Sequence, residues 1–320
     1  PSLVENKTYS FASFVMPALN EEKNIEMSVK SVLDQDLDIP FELIIAIGRS
    51  RDKTNRLAKQ LEKEHPQIRV IKNPKNNTAK GLNLAITEAQ GDVIIRVDAH
   101  SELTYGYAKR AIETLERTQA GNVGGLMHAI GTTGFQSAVA WAYGSRFGLG
   151  GGSFHVGGKE GEVDSVYLGV FDKEKLQSVG GFDEELIRGQ DWELNLRLRR
   201  AGHKVWFDPQ LEVRYFPRGN WGSLVKQFYK TGRWRARLTR SALSASRPRY
   251  FIPPLLVFGS LFVFPAVIYF LSVVFISLFA RVENGGKSWL IVVLPTMHYS
   301  WGLGFIVGML FRSQIRGIDS

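Results

Sequence analysis

The sequence predicts an α/β fold with a mainly parallel sheet, followed by interfacial helices and two transmembrane helices. In the first half, short apolar runs alternate with segments of helical period, as in strand–helix–strand units. The stretches 251–280 and 288–311 contain no charged residue, and each exceeds the roughly 20 residues that a helix needs to cross a hydrocarbon core. Lys and Arg number 40 against 31 Asp and Glu, a net charge of +9. Much of this excess lies directly before the first apolar stretch.

Strands in the first hundred residues are predicted from short apolar runs, and helices from apolar residues at helical spacing. The run 11–16 is a strand that is stopped by Pro17. A helix follows, because Ile25, Val29 and Val32 recur on one helical face. By the same reasoning we predict further strands at 41–47, 68–71 and 92–97, and helices at 53–64 and 82–88.

The middle of the chain is less regular. The glycine-rich segment 148–153 predicts a loop, and 163–171 predicts another strand. A turn is expected at 180–184, followed by a helix at 191–201 that Gly202 ends. Extended structure resumes at 205–207.

Polar segments follow the predicted strands of the first half. The segment 17–22, Asp52 and the pair Asp98 and His100 all lie at carboxyl ends of strands, where α/β sheets bind ligands. Residues two apart in an extended chain point the same way, so Asp98 and His100 can contact one divalent cation. An oxygen and an imidazole nitrogen suit Mn²⁺ or Mg²⁺ beside a diphosphate. The alternative is an Asp that caps a turn and a His that packs nearby.

A run of basic residues without any acidic residue precedes the first apolar stretch. It predicts a cytoplasmic location under the positive-inside rule and contact with anionic lipid head groups. Nucleic-acid binding is the weaker alternative, because thirty uncharged residues follow. The run comprises Arg214, Arg218, Lys226, Lys230, Arg233, Arg235, Arg237, Arg240, Arg247 and Arg249.

These features predict a multi-pass protein of the cell membrane with both ends in the cytosol. No secretory signal precedes the first strand. The link 281–287 is less basic than the region upstream and should lie outside, whereas Arg312 and Arg316 return the tail to the cytosol. The absence of cysteine raises no question of disulfides. The predicted parts are a cytosolic domain (1–215), a basic amphipathic interfacial region (216–250), transmembrane helices (251–280 and 288–311) and a cytosolic tail (312–320).

Six short motifs occur in order along the chain: 17–22 (PALNEE), Asp52, 98–100 (DAH), 180–184 (GGFDE), 190–194 (QDWEL) and 232–234 (GRW). In this order they resemble the family 2 glycosyltransferases, inverting enzymes with the nucleotide-diphosphosugar-binding fold called GT-A. The Asp-x-His form and the segment 301–305 (WGLGF) are similar to membrane-bound succinoglycan-type glycosyltransferases of bacterial exopolysaccharide synthesis. The resemblance extends from about Phe11 to Phe311.

The resemblance implies the roles of the central residues. Asp98 and His100 hold the cation, Mn²⁺ or Mg²⁺, that neutralises the leaving diphosphate. Asp191 is the general base that activates the acceptor hydroxyl, and the helix N-terminus helps to keep it ionised. Alternatively, Asp191 is only a carboxylate at a helix start.

The resemblance also implies which residues bind the nucleotide sugar. Main-chain groups after the first strand contact the nucleoside, and a carboxylate accepts a hydrogen bond from the base. Lys80 approaches the diphosphate, and residues 233–234 lie near the diphosphate and the acceptor. Glu21 or Glu22 could instead be a helix charge, Lys80 a surface lysine, and 233–234 part of an interfacial helix. The implied set is Pro17, Ala18, Asn20, Glu22, Asp52, Lys80, Asp98, Arg233 and Trp234.

The chain departs from the family pattern at two places. Members usually carry an Asp near the end of the second strand, where Ile47 and Gly48 stand here, which puts uracil recognition in doubt. Members also usually place Glu before the catalytic Asp, where this chain has Gln190. Losing that neighbouring charge should lower the pKa of Asp191 if the two are close.

We therefore expect inverting, metal-dependent transfer of a hexose from a nucleotide diphosphate sugar, interpreted as a UDP-sugar, to a polyprenyl-linked or other lipid-linked saccharide. One alternative is transfer to polyprenyl monophosphate. Another is a non-catalytic membrane scaffold, which the missing Asp at Ile47 favours. A processive polymer synthase is less well supported, because two spans offer a poor channel. The sequence leaves the sugar, the linkage and the oligomeric state open.

Overall fold

The computed structural model describes residues 7–150, 152–186, 189–217, 219–241 and 248–311. The chain forms two compact units. The first contains Pro1–His128 and Gly152–Tyr215, and the second contains Ala129–Gly151 and Phe216–Ser320. The predicted tail with Arg312 and Arg316 lies outside the described residues, as do Arg218 and Arg247 of the basic run.

The strands of the described residues are β1 (Ala12–Ala18), β2 (Phe41–Ile47), β3 (Ile68–Lys72), β4 (Val93–Arg96), β5 (Ser101–Leu103), β6 (Asn122–Ala129), β7 (Gly161–Glu162), β8 (Tyr167–Asp172) and β9 (Val205–Tyr215). The helices are α1 (Ile25–Leu33), α2 (Thr54–Glu64), α3 (Thr78–Glu88), α4 (Tyr107–Thr118), α5 (Gly134–Gly144), α6 (Ser153–Val156), α7 (Lys173–Ser178), α8 (Gln190–Arg200), α9 (Trp221–Ser241), α10 (Ile252–Gly259), α11 (Val263–Phe279) and α12 (Leu290–Leu310).

The strands form one sheet in the order β3-β2-β1-β4-β8-β6-β9-β5, with β7 paired to β9. β1 is parallel to β2 and β4, and β2 is parallel to β3, as the strand–helix rhythm predicts. β8 is antiparallel to β4 and β6, and β9 is antiparallel to β5 and β7. The sheet is therefore mixed rather than mainly parallel, because its later strands lack the regular helical crossovers that parallel pairing requires.

Helices cover both faces of the sheet. Phe14 and Met16 of β1 pack in one core cluster with residues of α1, α2 and α4, and Val15 packs in a second cluster with residues of α3, α7 and α8. All three side chains are fully buried, since alternate residues of a strand point to opposite faces. Because helices cover both faces of the sheet, its first strands are continuous apolar runs. The polar segments of the first half lie at the ends of these strands.

Most predicted elements of the first unit are confirmed, with shifts at their ends. β2 spans the predicted residues 41–47, whereas β1 continues through Pro17. The strand predicted at 163–171 begins only at Tyr167. The extended segment predicted at 205–207 is the start of the longer β9. Of the described elements of this unit, α4, α6, α7, β5, β6 and β7 have no counterpart among the predictions.

The second unit contains the apolar C-terminal helices. One helix among the described residues, Gly286–Leu310, is long and apolar enough to cross a membrane. The stretch 251–280, predicted as one span, is instead divided into α10 and the 17-residue α11. Pro265 gives a local reason for the break, because it has no N–H to donate to Leu261 in a continuing helix. The prediction of one transmembrane helix over 251–280 is therefore wrong, whereas the predicted span 288–311 largely coincides with the long apolar helix Gly286–Leu310.

α9 and α12 pack closely through glycines. A Cβ on Gly232 would lie 2.0 Å from the carbonyl oxygen of Trp301, and one on Gly304 would lie 2.1 Å from that of Tyr229. Small residues allow helix backbones to approach this closely. The GRW and WGLGF motifs therefore pack against each other in one helix pair.

Gly304→Ala is expected to lower the free energy of unfolding by about 1–3 kcal/mol, because the added methyl overpacks this contact. Thermal unfolding of the purified protein in detergent measures the change. Gly259→Ala is the matched control, since among the described residues its Cβ would come within 4 Å only of the Cβ of Pro265, at 3.8 Å. Equal melting temperatures for the two variants would contradict a tight α9–α12 contact.

Candidate active site

The candidate site lies at the carboxyl ends of β1, β2 and β4. Arg96, the last residue of β4, is 5% exposed. Its Nε and Nη2 donate to Oδ1 of Asp98 at 3.2 and 3.1 Å, and its Nη1 donates to Oδ1 of Asp191 in the first turn of α8. One buried guanidinium thus brings together two carboxylates that are far apart in the sequence.

Burial and charge shift the pKa values of this group. Burial tends to lower the pKa of Arg96, but Asp191 and Asp98 raise it above its ordinary value. Burial raises the pKa of Asp191, which Arg96 opposes and Asp98 reinforces. The Asp191 side chain still keeps 28% of its surface exposed. An accessible carboxylate with a raised pKa is suited to accepting a proton.

His100 is held by a carboxylate from the loop after β1. Its Nδ1 lies 3.0 Å from Oε1 of Glu21, and its ring packs edge-on at 6.1 Å from the ring of Tyr215. If Nδ1 carries the proton and donates a hydrogen bond to Glu21, the lone pair of the neutral imidazole lies on Nε2. This is the arrangement in which histidine commonly binds metal ions.

Asp98 and His100 fit the cation that the family resemblance implies. A carboxylate oxygen and an imidazole nitrogen are ligands that Mn²⁺ and Mg²⁺ accept. In the described part of the chain, Oδ2 of Asp98 accepts no hydrogen bond. No group of three or more His, Asp or Glu side chains among the described residues is placed to hold a metal ion. A cation bound here would take its other ligands from phosphate oxygens and water, as Mg²⁺ commonly does.

Asp52 joins the loops that follow β1 and β2. Its Oδ1 accepts from the N–H and the hydroxyl of Thr54 at 3.0 and 2.6 Å, and its Oδ2 accepts from the N–H of Glu22 at 3.1 Å. Burial alone would raise the pKa of Asp52, but these hydrogen bonds lower it. Oδ1 of Asn20 similarly accepts from the N–H of Arg51 at 2.8 Å. Both oxygens of Asp52 are thus engaged in holding the two loops together.

The departure at the end of β2 has a packing reason. Pro17 and Ala18 end the neighbouring β1. A Cβ at Gly48 would meet Oδ1 of Asn76 and Cδ1 of Leu19, each at 2.9 Å. The side chain of Asn76 therefore fills the space that an aspartate at position 48 would need.

The 180–184 turn supports Arg96. Its two glycines have φ values of 83° and 68°, which favour glycine over residues with side chains. The amide of Asn83 in α3 donates to the carbonyl of Phe182 at 2.8 Å and accepts from its N–H at 2.9 Å. The centroid of the Phe182 ring lies 5.5 Å from the Arg96 guanidinium, a cation–π contact. The motif therefore has a structural function beside the two carboxylates.

Lys80 is held by the same turn. Its Nζ lies 3.1 Å from Oε1 of Glu184, and the two side chains are 30% and 36% exposed. Burial tends to raise the pKa of Glu184, but hydrogen bonds from Asn83 and Lys80 lower it. The lysine is therefore positioned by the protein, and its partly exposed ammonium stays accessible to an anion.

Arg233 and Trp234 belong to α9 of the second unit. Trp234 is 5% exposed, and the guanidinium of Arg237 lies 5.1 Å from its ring centroid. Nearby in α9, Nε2 of Gln227 donates to the hydroxyl of Tyr143 at 3.0 Å. Within this unit Trp234 is therefore a packing residue.

Three residues that adjoin the predicted site have no counterpart among the predicted site residues. They are Arg96, Glu21 and Tyr167, whose buried hydroxyl has no hydrogen-bond partner among the described residues. Burial and then Asp98 raise the pKa of Tyr167 well above its ordinary value. Only Arg96 has a clear sequence signal, because a charged residue inside the apolar run 94–97 needs a partner. The partners of Glu21 and Tyr167 depend on the tertiary fold.

Comparisons with known proteins identify the family of this sequence. The sequence profile described as Glycosyl transferase family 2 matches residues 13–172. The chain is 29% identical over 328 residues to the succinoglycan biosynthesis protein ExoA of Rhizobium meliloti (strain 1021), covering 96% of this chain and 98% of ExoA. It is 30% identical over 322 residues to the dolichyl N-acetyl-alpha-D-glucosaminyl phosphate 3-beta-D-2,3-diacetamido-2,3-dideoxy-beta-D-glucuronosyltransferase of Methanococcus voltae, covering 94% of this chain and 98% of that protein.

Two solved structures are similar in fold. One is the mannosyltransferase PcManGT from Pyrobaculum calidifontis in complex with GDP-Man and Mn²⁺, at a TM-score of 0.61 and 14% identity, covering 96% of this chain and 89% of that one. The other is residues 1–349 of S. aureus TarS in complex with UDP, at a TM-score of 0.53 and 16% identity, covering 94% and 90%. These likenesses support a GT-A-like fold. Because the family profile matches half of the 320 residues and the relatives match nearly the whole chain, the protein belongs to glycosyl transferase family 2.

Proposed function

We propose that this glycosyltransferase is inverting and metal-dependent. It moves a hexose from a nucleotide diphosphate sugar, proposed to be a UDP-sugar, to a lipid-linked saccharide. The observation that carries the proposal is the contact of Arg96 with both Asp98 and Asp191. It puts a candidate base and a candidate metal ligand at the same edge of the sheet, as a single displacement at the anomeric carbon requires.

In the proposed reaction, the acceptor oxygen forms a bond to the anomeric carbon while the bond from that carbon to the diphosphate oxygen breaks. Asp191 accepts the proton of the acceptor hydroxyl, and the diphosphate leaves with the bonding electrons. A bound Mn²⁺ or Mg²⁺ ion, held by Asp98 and His100, would neutralise that leaving group. Arg96 fixes the position of Asp191, and Phe182 fixes the position of Arg96.

The donor is proposed to bind along the strand ends of the first unit. The joined loops after β1 and β2 would enclose the nucleoside. Lys80 would leave its partly exposed partner, Glu184, and bind the diphosphate. The family resemblance alone implies that Arg233 and Trp234 lie near the diphosphate and the acceptor. The residues of the loops are Pro17, Ala18, Asn20, Glu22 and Asp52.

The acceptor is proposed to be lipid-linked and the protein to act at the cytoplasmic face of the cell membrane. The relative from Methanococcus voltae is named for a dolichyl-linked acceptor. Phe264, Leu271 and Phe275 of α11 are exposed, an apolar surface that lipid would cover. In this proposal 1–215 is the cytosolic domain, and the other parts are an interfacial region at 216–250, membrane segments within 251–311 and a cytosolic tail at 312–320.

UDP together with Mn²⁺ is expected to raise the melting temperature of the purified protein, and EDTA is expected to remove most of that rise. A ligand at 100 times its Kd stabilises the folded state by about 2.7 kcal/mol. A thermal-shift panel of nucleoside diphosphates with and without Mn²⁺ measures this. A shift that EDTA leaves unchanged would contradict metal dependence, and no shift with any nucleotide would favour the scaffold alternative.

A further inference from the structure

We propose that Glu21 is a positioning residue for metal binding, whose carboxylate accepts a hydrogen bond from the Nδ1–H of His100 and so leaves the lone pair of Nε2 for the cation. This inference deepens the proposed function and rests on it. The contact that carries it is the 3.0 Å distance between Nδ1 of His100 and Oε1 of Glu21. The two residues lie at the ends of different strands, β4 and β1, so the contact is made only in the folded site.

The surroundings of Glu21 hold its carboxylate in place. Oε2 accepts from Nδ2 of Asn24 at 3.0 Å, and the Glu21 N–H donates to Oγ1 of Thr54 at 2.7 Å. The Glu21 carbonyl accepts from the N–H groups of Asn24 and Ile25 at 3.0 and 2.9 Å, where α1 begins. Both carboxylate oxygens and both main-chain polar groups are therefore engaged. A carboxylate held in this way can fix the orientation of the imidazole.

The neighbouring glutamate makes a different contact. Oε2 of Glu22 accepts from the N–H of Lys53 at 3.0 Å, in the loop after β2. The two adjacent carboxylates, which the sequence does not distinguish, thus have different partners in the structure. Glu21 belongs with His100, and Glu22 belongs with the loops proposed to enclose the nucleoside.

The chemical consequence follows from the two tautomers of imidazole. A carboxylate at Nδ1 favours the tautomer with its lone pair on Nε2 and makes that nitrogen more basic. Arg96 has the opposite effect on the other proposed ligand, Asp98. It donates to Oδ1 of Asp98, which makes that carboxylate a weaker electron donor to a cation. Metal affinity here should therefore depend strongly on His100, and through it on Glu21.

Glu21→Gln is expected to weaken Mn²⁺ binding about 10- to 100-fold, the usual cost of losing such an outer carboxylate. Free Mn²⁺ is followed by electron paramagnetic resonance during titration of the full-length protein, with saturating UDP and no acceptor. Glu26→Gln is the matched control, because Glu26 lies exposed in the first turn of α1 and changes the same charge. Its Mn²⁺ affinity should equal that of the wild type.

Glu21→Asp provides a second test that keeps the charge but shortens the side chain by one methylene. Its Mn²⁺ affinity should also fall, because the shorter carboxylate cannot reach Nδ1 in the same geometry. Wild-type Mn²⁺ affinity in both Glu21 variants, with a loss in His100→Ala, would overturn the role of Glu21 and leave the proposed metal site intact. Wild-type affinity in His100→Ala as well would overturn the metal site itself.

Discussion

Asp191→Asn is expected to lower kcat for sugar transfer about 10²- to 10⁴-fold, the contribution of a positioned general base. Asparagine keeps the shape of the side chain and can still accept from Arg96, but it cannot take the acceptor proton. Transfer of a labelled hexose from a nucleotide sugar to a lipid-linked acceptor measures the effect, and the mass of the product identifies the acceptor as a saccharide or a polyprenyl monophosphate.

Asp34→Asn is the control for this variant, because Asp34 is 56% exposed and pairs only with Lys30 across one turn of α1 in the described structure. Its kcat should equal that of the wild type. The thermal shift of Asp191→Asn with UDP and Mn²⁺ should also equal the wild-type shift, which separates a lost base from a lost donor site. Transfer by Asp191→Asn at the wild-type rate would show that Asp191 is not the general base but a carboxylate at a helix start that pairs with Arg96.

The pH profile is a second readout of the same variant. Burial raises the pKa of Asp191, Arg96 opposes the rise and Asp98 adds to it. The carboxylate therefore becomes protonated at a higher pH than an ordinary aspartate. A protonated carboxyl cannot accept the acceptor proton, so kcat of the wild type should fall as the pH is lowered through that raised pKa. The residual activity of Asp191→Asn should lack this fall.

How much of the site the sequence predicts depends on how far each contact reaches along the chain. Extended residues two apart point the same way, which predicts that Asp98 and His100 lie together. However, β4 ends at Arg96, and the Ser101 N–H donates to the Asp98 carbonyl at 2.9 Å in a turn. The contacts of Arg96 with Asp191 and of Glu21 with His100 join distant segments, and no local periodicity encodes them. The antiparallel pairing of β8 and β9 is missed for the same reason, although the sequence predicts a strand at each place.

The apolar C-terminal region shows a different kind of limit. The absence of charge over 251–280 correctly predicts apolar helices. Apolar composition, however, does not distinguish proline, which lacks a backbone N–H, from residues that can continue a helix. Pro265 is visible in the sequence, and a proline inside a helical pattern is a reason to divide it. The break between α10 and α11 was therefore predictable from one residue, whereas the close packing of Gly304 on α9 depends on a partner that only the fold supplies.

Arg96→Met is expected to have the largest effect on stability, lowering the free energy of unfolding by about 3–5 kcal/mol, because it leaves two partly buried carboxylates without their cation. Methionine can still contact Phe182, so lost packing contributes little. Denaturant unfolding followed by tryptophan fluorescence measures the change. Arg117→Met is the control, because Arg117 is 55% exposed and its pair with Glu160 lies at the surface, where such pairs contribute about 0–1 kcal/mol.

The double variant Arg96→Met with Asp191→Asn tests whether the ion pair is the cause. If the loss in Arg96→Met comes from uncompensated charge at Asp191, neutralising that carboxylate should restore part of the lost stability, and the two single changes should not add. Arg96→Lys should also be destabilised, because one ammonium cannot reproduce the planar fork that holds Asp98 and Asp191 at once. Strict additivity in the double variant would mean that the stability lost in Arg96→Met does not come from its ion pair with Asp191.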